Sequence, residues 1–386
     1  MYEKISHFKT AGKIVFGPGA VETAGEELKA LGATRVAVIT DPGIDKAGIL
    51  DTVRQAVEKS GLNHSVFTGV EPDPKIEIVG QAADHTRKES CDAVLGVGGG
   101  SSMDIAKATA VMMSNPGKIE DYAGVGKIPN PLPPVLLVPT TAGTGSEVTS
   151  IAVLSDTVNN VKKGVVSDYM YARAAVLDPL LTVGLPPPIT ASTGLDALIH
   201  AVESYTGSQA TFITEPLALE AIRIIAQNLR LAYANGNNLM ARSNMLKGSL
   251  LAGMAFSNTQ TAAAHACALA IGGRFHIPHG VATSLMLPAV MEFNMVGCPD
   301  KFAAIAEAFG EDTEGVPPME AAELAIISVK RLIEDIGFTL GLRHYDIPEN
   351  AIPELAKGAM VAARLWENNP RSATLEQVEE IFRKAY

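Results

Sequence analysis

Ala93-Val94-Leu95-Gly96-Val97-Gly98-Gly99-Gly100-Ser101-Ser102-Met103 runs from an apolar strand through a glycine turn into a helix. Glycines let a backbone approach a pyrophosphate closely, and the free N–H groups at a helix start favour its charge. Read strictly, the stretch is not G-x-G-x-x-G, because Gly96 and Gly98 fit but serine stands at position 101. Working outward, the same strand-then-helix grammar recurs up to about residue 185. Thr34 to Thr40, Ser65 to Val70, Ala93 to Val97, Val135 to Val138 and Ala174 to Leu177 read as strands. Ala20 to Leu31, Ile49 to Ser60, Ile76 to Glu89 and Met103 to Ser114 carry helical spacing between them. Near-continuous apolar strands alternating with helices indicate a parallel sheet covered on both faces.

Two further segments sit where a nucleotide would be gripped. Pro139-Thr140-Thr141-Ala142-Gly143-Thr144-Gly145-Ser146-Glu147 follows an apolar strand, and its hydroxyls can bind phosphate or ribose or cap the next helix. Asp41 ends the Thr34 to Thr40 strand. A carboxylate there can accept from an adenosine ribose and repel a 2′-phosphate, favouring NAD over NADP, or it can serve simply as the aspartate of an Asp-Pro-Gly turn.

After Leu185-Pro186-Pro187-Pro188 the grammar changes to long helical patterns with almost no strand signal: Glu215 to Ala232, Asn238 to Ala255, Lys301 to Phe309, Glu320 to Ile336, Ile352 to Arg364 and Leu375 to Ala385. The proline triplet reads as a linker. The expected organisation is an α/β dinucleotide-binding domain over residues 1–185 and an all-α domain over residues 186–386.

Within the helical half, Asp196 and His200 form an i,i+4 pair in the helical run Ser192 to Tyr205. Side chains so spaced lie about 5–6 Å apart on a helix and can share one ion. His265 lies in the Ala-rich helical stretch Thr261 to Ile271, and His279 sits between Pro278 and Gly280 as in a turn. One carboxylate and three imidazoles suit Zn²⁺ or Fe²⁺ better than Mg²⁺ or Ca²⁺. The bland alternative is a solvated aspartate and core histidines.

Composition narrows the function classes. Of 386 residues, 47% are hydrophobic and 19% charged, ample for buried cores. A net charge of −11 and few aromatics argue against nucleic acid or an anionic membrane as partner. Cys91, Cys267 and Cys298 have no CxxC spacing and make no disulfide framework, so reduced thiols and a cytoplasmic location are expected. No signal peptide or membrane span is read from the sequence.

With these residues assembled, the chain resembles the iron-containing (group III) alcohol dehydrogenase family over essentially its whole length. The resemblance rests on Gly98-Gly99-Gly100-Ser101 with Asp104 and Lys107, and on Pro139-Thr140-Thr141-Ala142-Gly143-Thr144 with Glu147. It rests also on Thr193-Gly194-Leu195-Asp196-Ala197 with His200 and Glu203, on Pro278-His279-Gly280, and on Asn369-Pro370-Arg371. It implies an active site in the cleft between the two domains, with Asp196, His200, His265 and His279 as catalytic metal ligands. It implies that Asp41, Gly98, Gly99, Gly100, Ser101, Thr140, Thr141, Thr144 and Lys162 line an NAD site.

The expected activity is hydride transfer between NAD(H) and a small primary alcohol or aldehyde, including one with an anionic group, assisted by Fe²⁺ or Zn²⁺ as Lewis acid. A homo-oligomer, dimer or larger, is expected. The alternative is an NAD- and metal-dependent lyase or cyclase similar to dehydroquinate synthase. It would need a Lys and Arg cluster, whereas the segment beside His265 is mostly alanine. One departure stands out. Many family members have a second histidine four residues after the ligand matched by His265; here that residue is Leu269, with Arg274 and His276 nearby.

Overall fold

A computed structural model describes residues 5–157 and 161–386. The chain divides into two compact units, Thr10–Gly184 and Leu185–Tyr386 with the N-terminal segment up to Lys9.

In the first unit the strands are β1 (Ile14–Phe16), β2 (Arg35–Ile39), β3 (Asn63–Phe67), β4 (Ala93–Gly98), β5 (Gly124–Val125), β6 (Val135–Pro139), β7 (Ile151–Asp156), β8 (Val161–Val166) and β9 (Ala174–Leu177). Its helices are α1 (Ala24–Ala30), α2 (Pro42–Lys46), α3 (Ile49–Lys59), α4 (Ile76–Lys88) and α5 (Gly100–Ser114). Six strands form one sheet in the order β1-β9-β6-β4-β2-β3, with every pairing parallel. Side chains alternate across a strand. Val36, Val38, Leu95, Val97, Leu136 and Val138 accordingly pack in one cluster with Leu28 of α1 and Leu50, Val53 and Val57 of α3. The intervening Gly96 faces α5: a Cβ there would come within 2.6 Å of Ala106. Helices thus cover both faces of the sheet, as its apolar strands require.

The alternation missed a smaller sheet of order β5-β8-β7. β7 and β8 pair antiparallel, with Ser155 opposite Lys162. Val161-Lys162-Lys163-Gly164 opens β8 and offers little apolar surface, so periodicity gives no strand signal there.

The second unit has no β-strand among its described residues. Its helices are α6 (Pro187–Thr206), α7 (Thr214–Ala234), α8 (Leu239–Thr259), α9 (Ala263–Phe275), α10 (His279–Asn294), α11 (Pro299–Phe309), α12 (Pro318–Asp335), α13 (Ile352–Met360), α14 (Ala363–Asn368) and α15 (Leu375–Lys384). Among the described residues no helix is long and apolar enough to cross a membrane. The proline triplet is no free linker. Pro186 caps α6 and Pro187 and Pro188 form its first turn, where a missing N–H costs nothing. Likewise His279 lies in no turn; it is the first residue of α10, capped by Pro278.

Candidate metal centre and cofactor-binding turn

Asp196, His200 and Glu203 fall at i, i+4 and i+7 of α6, one face of the helix, and all three are buried. A charged side chain is seldom buried unless partnered, so three in a row demand partners. His265 supplies one from the first turn of α9, and His279 another from the start of α10. Gly280 is what lets α10 begin there, because a Cβ on it would stand 2.6 Å from the carbonyl oxygen of Ser192 in α6.

Asp196, His265 and His279 each offer a ligand atom within 4.8 Å of the others. Asp196 Oδ1 lies 3.8 Å from His265 Nε2 and 3.7 Å from His279 Nε2. Two donors each about 2.1 Å from one ion can lie no more than about 4.2 Å apart, so the separations of Asp196 from the two histidines fit a shared ion. Asp196 Oδ1 and His265 Nε2 are buried and have no hydrogen-bond partner among the described residues. Such atoms cost about 1–3 kcal/mol each when left unsatisfied, and a cation between them removes that cost. His200 stands outside this trio. Its Nδ1 is 3.9 Å from Asp196 Oδ2, and its ring stacks between Phe256 (4.2 Å) and His265 (4.8 Å). His279 is the open side of the group, its side chain 40% exposed.

Behind the donors, Glu203 is the residue whose role the sequence did not reveal. Its Oε2 accepts from His265 Nδ1 at 2.6 Å and from the Ala262 amide at 2.8 Å, and its Oε1 from the Ala264 amide at 2.7 Å. Burial alone would raise its pKa. His265 and the two amides outweigh burial and hold the carboxyl below the ordinary range. The i, i+4, i+7 spacing from Asp196 was the available signal. Leu269 projects from α9 and is 37% exposed, while Ala263 to Ala268 are all buried. Arg274 and His276 are exposed at the end of α9, where His276 adopts φ 54°.

The cofactor candidates belong to the other unit. Asp41, Gly98–Ser101 and Thr140–Thr144 follow the carboxyl ends of β2, β4 and β6, three strands that lie side by side. Ligands of open parallel sheets bind at that edge. Gly98 has φ +144°, and a Cβ on it would meet Ser102 Oγ at 2.6 Å and Asp41 Oδ2 at 3.1 Å. Thr141 Oγ1 is buried without a hydrogen-bond partner among the described residues, next to Gly99. Thr144 packs against Gly100 and accepts from the Ser146 amide. A glycine cradle with an unsatisfied hydroxyl suits a phosphate group.

Asp41 also plays its bland part. It caps α2 through the Gly43 and Ile44 amides, and its other oxygen accepts from Ser102 at 3.0 Å. Lys162 on β8 pairs with Asp73 at 2.8 Å, both exposed. The Asp104, Lys107 and Glu147 of the matching motifs are structural neighbours of this edge. Lys107 is fully buried, donating to the Ser146 and Ile151 carbonyls and to Thr149 and pairing with Asp104 at 3.2 Å.

A parallel-sheet unit with a glycine-lined strand edge, followed by a helical unit with a gathered Asp–His group, defines a protein built for a nucleotide and a metal ion. The chain belongs to the iron-containing alcohol dehydrogenase family, and it is an oxidoreductase of that class. Residues 11–179 match the family described as "Iron-containing alcohol dehydrogenase", and residues 190–386 match "Fe-containing alcohol dehydrogenase family, C-terminal". It is 41% identical over 371 residues to the sulfoacetaldehyde reductase of Bilophila wadsworthia (strain 3_1_6), with 96% of each chain covered. The crystal structure of a 1,3-propanediol oxidoreductase superposes with TM-score 0.97 at 40% identity, covering 99% of this chain and all of that one. Sulfoacetaldehyde reductase from Bifidobacterium kashiwanohense in complex with NAD⁺ gives TM-score 0.90 at 29% identity, with 99% of each covered.

Proposed function

We propose that this protein interconverts a small primary alcohol and its aldehyde with NAD(H), using one divalent ion held by Asp196, His200, His265 and His279. The observation that carries the reading is the trio Asp196, His265 and His279 with two buried donor atoms that lack hydrogen-bond partners among the described residues. When bound, Fe²⁺ or Zn²⁺ supplies Lewis acidity toward a carbonyl or alcohol oxygen, and NADH supplies the hydride. The chain's residues do the rest. Asp196 brings the negative charge that offsets the ion's, and the histidines bring neutral nitrogen donors. His279, being exposed, marks the side from which substrate oxygen enters.

Asp41, Gly98, Gly99, Gly100, Ser101, Thr140, Thr141 and Thr144 are assigned to the cofactor, with Asp41 disfavouring a 2′-phosphate. Lys162 joins them only if its pairing with Asp73 opens. The substrate class is extended to aldehydes carrying an anionic group because a relative with 41% identity is a sulfoacetaldehyde reductase and Arg274 is exposed at the end of α9.

The test is a panel of small aldehydes and their sulfonated or carboxylated analogues, assayed with NADH on protein stripped and reloaded with Fe²⁺ or Zn²⁺. His279→Ala should fold, lose most of its bound metal and lose turnover. Full metal occupancy with normal turnover in that variant would refute the ligand assignment.

A further inference from the structure

Glu203 has no place in the ligand set, yet its carboxylate accepts four hydrogen bonds. Its two oxygens accept from the amides of Ala262, Ala264 and His265 (2.8, 2.7 and 3.4 Å) and from the His265 ring at Nδ1 (2.6 Å). A helix start leaves its first amides without intrahelical partners. Glu203, reaching from α6, satisfies them for α9 and does so at the turn that carries His265. The segment leading into that turn is tied down as well. Gln260 holds a left-handed φ of 73°, uncommon for a residue with a side chain, and the buried Asn368 donates to the Gln260 and Thr261 carbonyls.

A neutral imidazole carries one N–H and one lone pair, and the partner of one nitrogen decides the role of the other. A carboxylate has no proton to give, so at 2.6 Å it accepts from Nδ1–H. Nε2, 3.8 Å from Asp196 Oδ1, is left with its lone pair toward the donor group.

We propose that Glu203 is a positioning residue that fixes His265 in the Nδ1–H tautomer, so that Nε2 is offered to the metal. This rests on the reading of Asp196, His265 and His279 as metal donors. Carboxylate–histidine–metal relays of this kind commonly change metal affinity by about 10–100-fold when the carboxylate is lost. Glu203→Gln keeps the shape but can present only one acceptor oxygen. With its N–H₂ in the Oε2 position the amide would face Nδ1–H and the Ala262 amide, and His265 relieves the conflict at the ring by moving its proton to Nε2, the nitrogen meant for the ion.

The decisive measurement combines two readouts on the full chain stripped of metal. Zn²⁺ affinity is measured by competition with a chromophoric chelator in wild type, Glu203→Gln and Asn368→Ala. The His265 tautomer is read from ¹⁵N–¹H NMR of the imidazole nitrogens at alkaline pH, where the ring is in its neutral form. Expected are an Nδ1–H tautomer in the wild type, and about 10–100-fold weaker Zn²⁺ binding with an Nε2–H tautomer in Glu203→Gln. NADH affinity should not change. Asn368→Ala, which loosens the same turn without touching the ring, should keep the Nδ1–H tautomer. Wild-type protein that binds no Zn²⁺ would defeat the metal reading itself. Wild-type binding together with an Nε2–H ring, or with undiminished affinity in Glu203→Gln, would overturn the positioning role and leave the metal site standing. Should Glu203→Gln fail to fold, the wild-type tautomer decides.

Discussion

At the scale of single residues, Asp41 shows how one side chain answers two demands. It caps α2 through the amides of Gly43 (2.9 Å) and Ile44 (3.2 Å), while its second oxygen lies beside the Gly98 turn. Removing it altogether would mix lost capping with lost charge, so Asp41→Ser is the informative change, since serine also caps well. With the repulsion gone, kcat/KM for NADPH relative to NADH should rise about tenfold, equivalent to about 1.4 kcal/mol, with the melting temperature nearly unchanged. A wild-type enzyme that already used NADPH as well as NADH would remove the basis for this. Leu269 is the second case. It stands one helical turn after His265 on α9 and, at 37% exposure, is not a core residue like its neighbours. An imidazole there would titrate near pH 6.5. Leu269→His in the metal-loaded enzyme should therefore add an inflection to the rate profile between about pH 6 and 8 and shift preference toward small polar alcohols. An unchanged profile and unchanged substrate ranking would reduce the position to packing.

Among the elements, a buried charged junction lies between α5 and the start of β7. Lys107 is sealed there with Asp104, Ser146, Thr149 and Ile151. Glu147 beside it is pushed up to about 7 from 4.5, chiefly by burial, with its own backbone amide and Lys107 opposing. The folded chain therefore holds this proton more tightly than the unfolded chain. Its stabilising contribution is complete below pH 4.5, falls as pH rises, and is gone above about pH 7. A shift of that size corresponds to about 3 kcal/mol. Calorimetry from pH 5 to 8 should show wild type losing more stability than Glu147→Gln; parallel curves would contradict the burial argument. How far these elements were legible follows from the same physics. The apolar runs Arg35–Ile39, Ala93–Gly98 and Val135–Pro139 announced the sheet because both faces are buried. β1 is only three residues at a sheet edge, and β8 is half lysine and glycine, so neither carried a pattern. Ile352 to Arg364 looked like one helix, but α13 stops at Met360 and α14 restarts at Ala363, with the Trp366 indole donating to the Ala359 carbonyl across the break. The candidate donors Asp196, His200, His265 and His279 were visible as residue types. Glu203 was visible as a residue of the matching motif, but its role was not, because that depends on α9 arriving beside α6.

For the whole molecule, the residues proposed for the metal and those proposed for the cofactor fall in different compact units. The proposed metal donors come from α6, α9 and α10, all within Leu185–Tyr386, whereas the glycine turn and Asp41 lie within Thr10–Gly184. An ion that ties three helices stabilises the folded helical unit by mass action, about 4 kcal/mol at a thousand times its Kd. Stripping it returns Asp196 Oδ1 and His265 Nε2 to the state of buried atoms without hydrogen bonds, on the helices that bear them. Local opening should then become easier there first. Amide hydrogen exchange followed by mass spectrometry should show chelation speeding exchange in α6, α9 and the first turn of α10, with β4 and Thr140–Thr144 little altered. NADH should do the converse, slowing exchange at Gly98–Ser102 and Thr140–Thr144 in the metal-free protein. If chelation instead left α6, α9 and α10 as protected as before, no ion is held by those helices, and the assignment of all four donors falls with it.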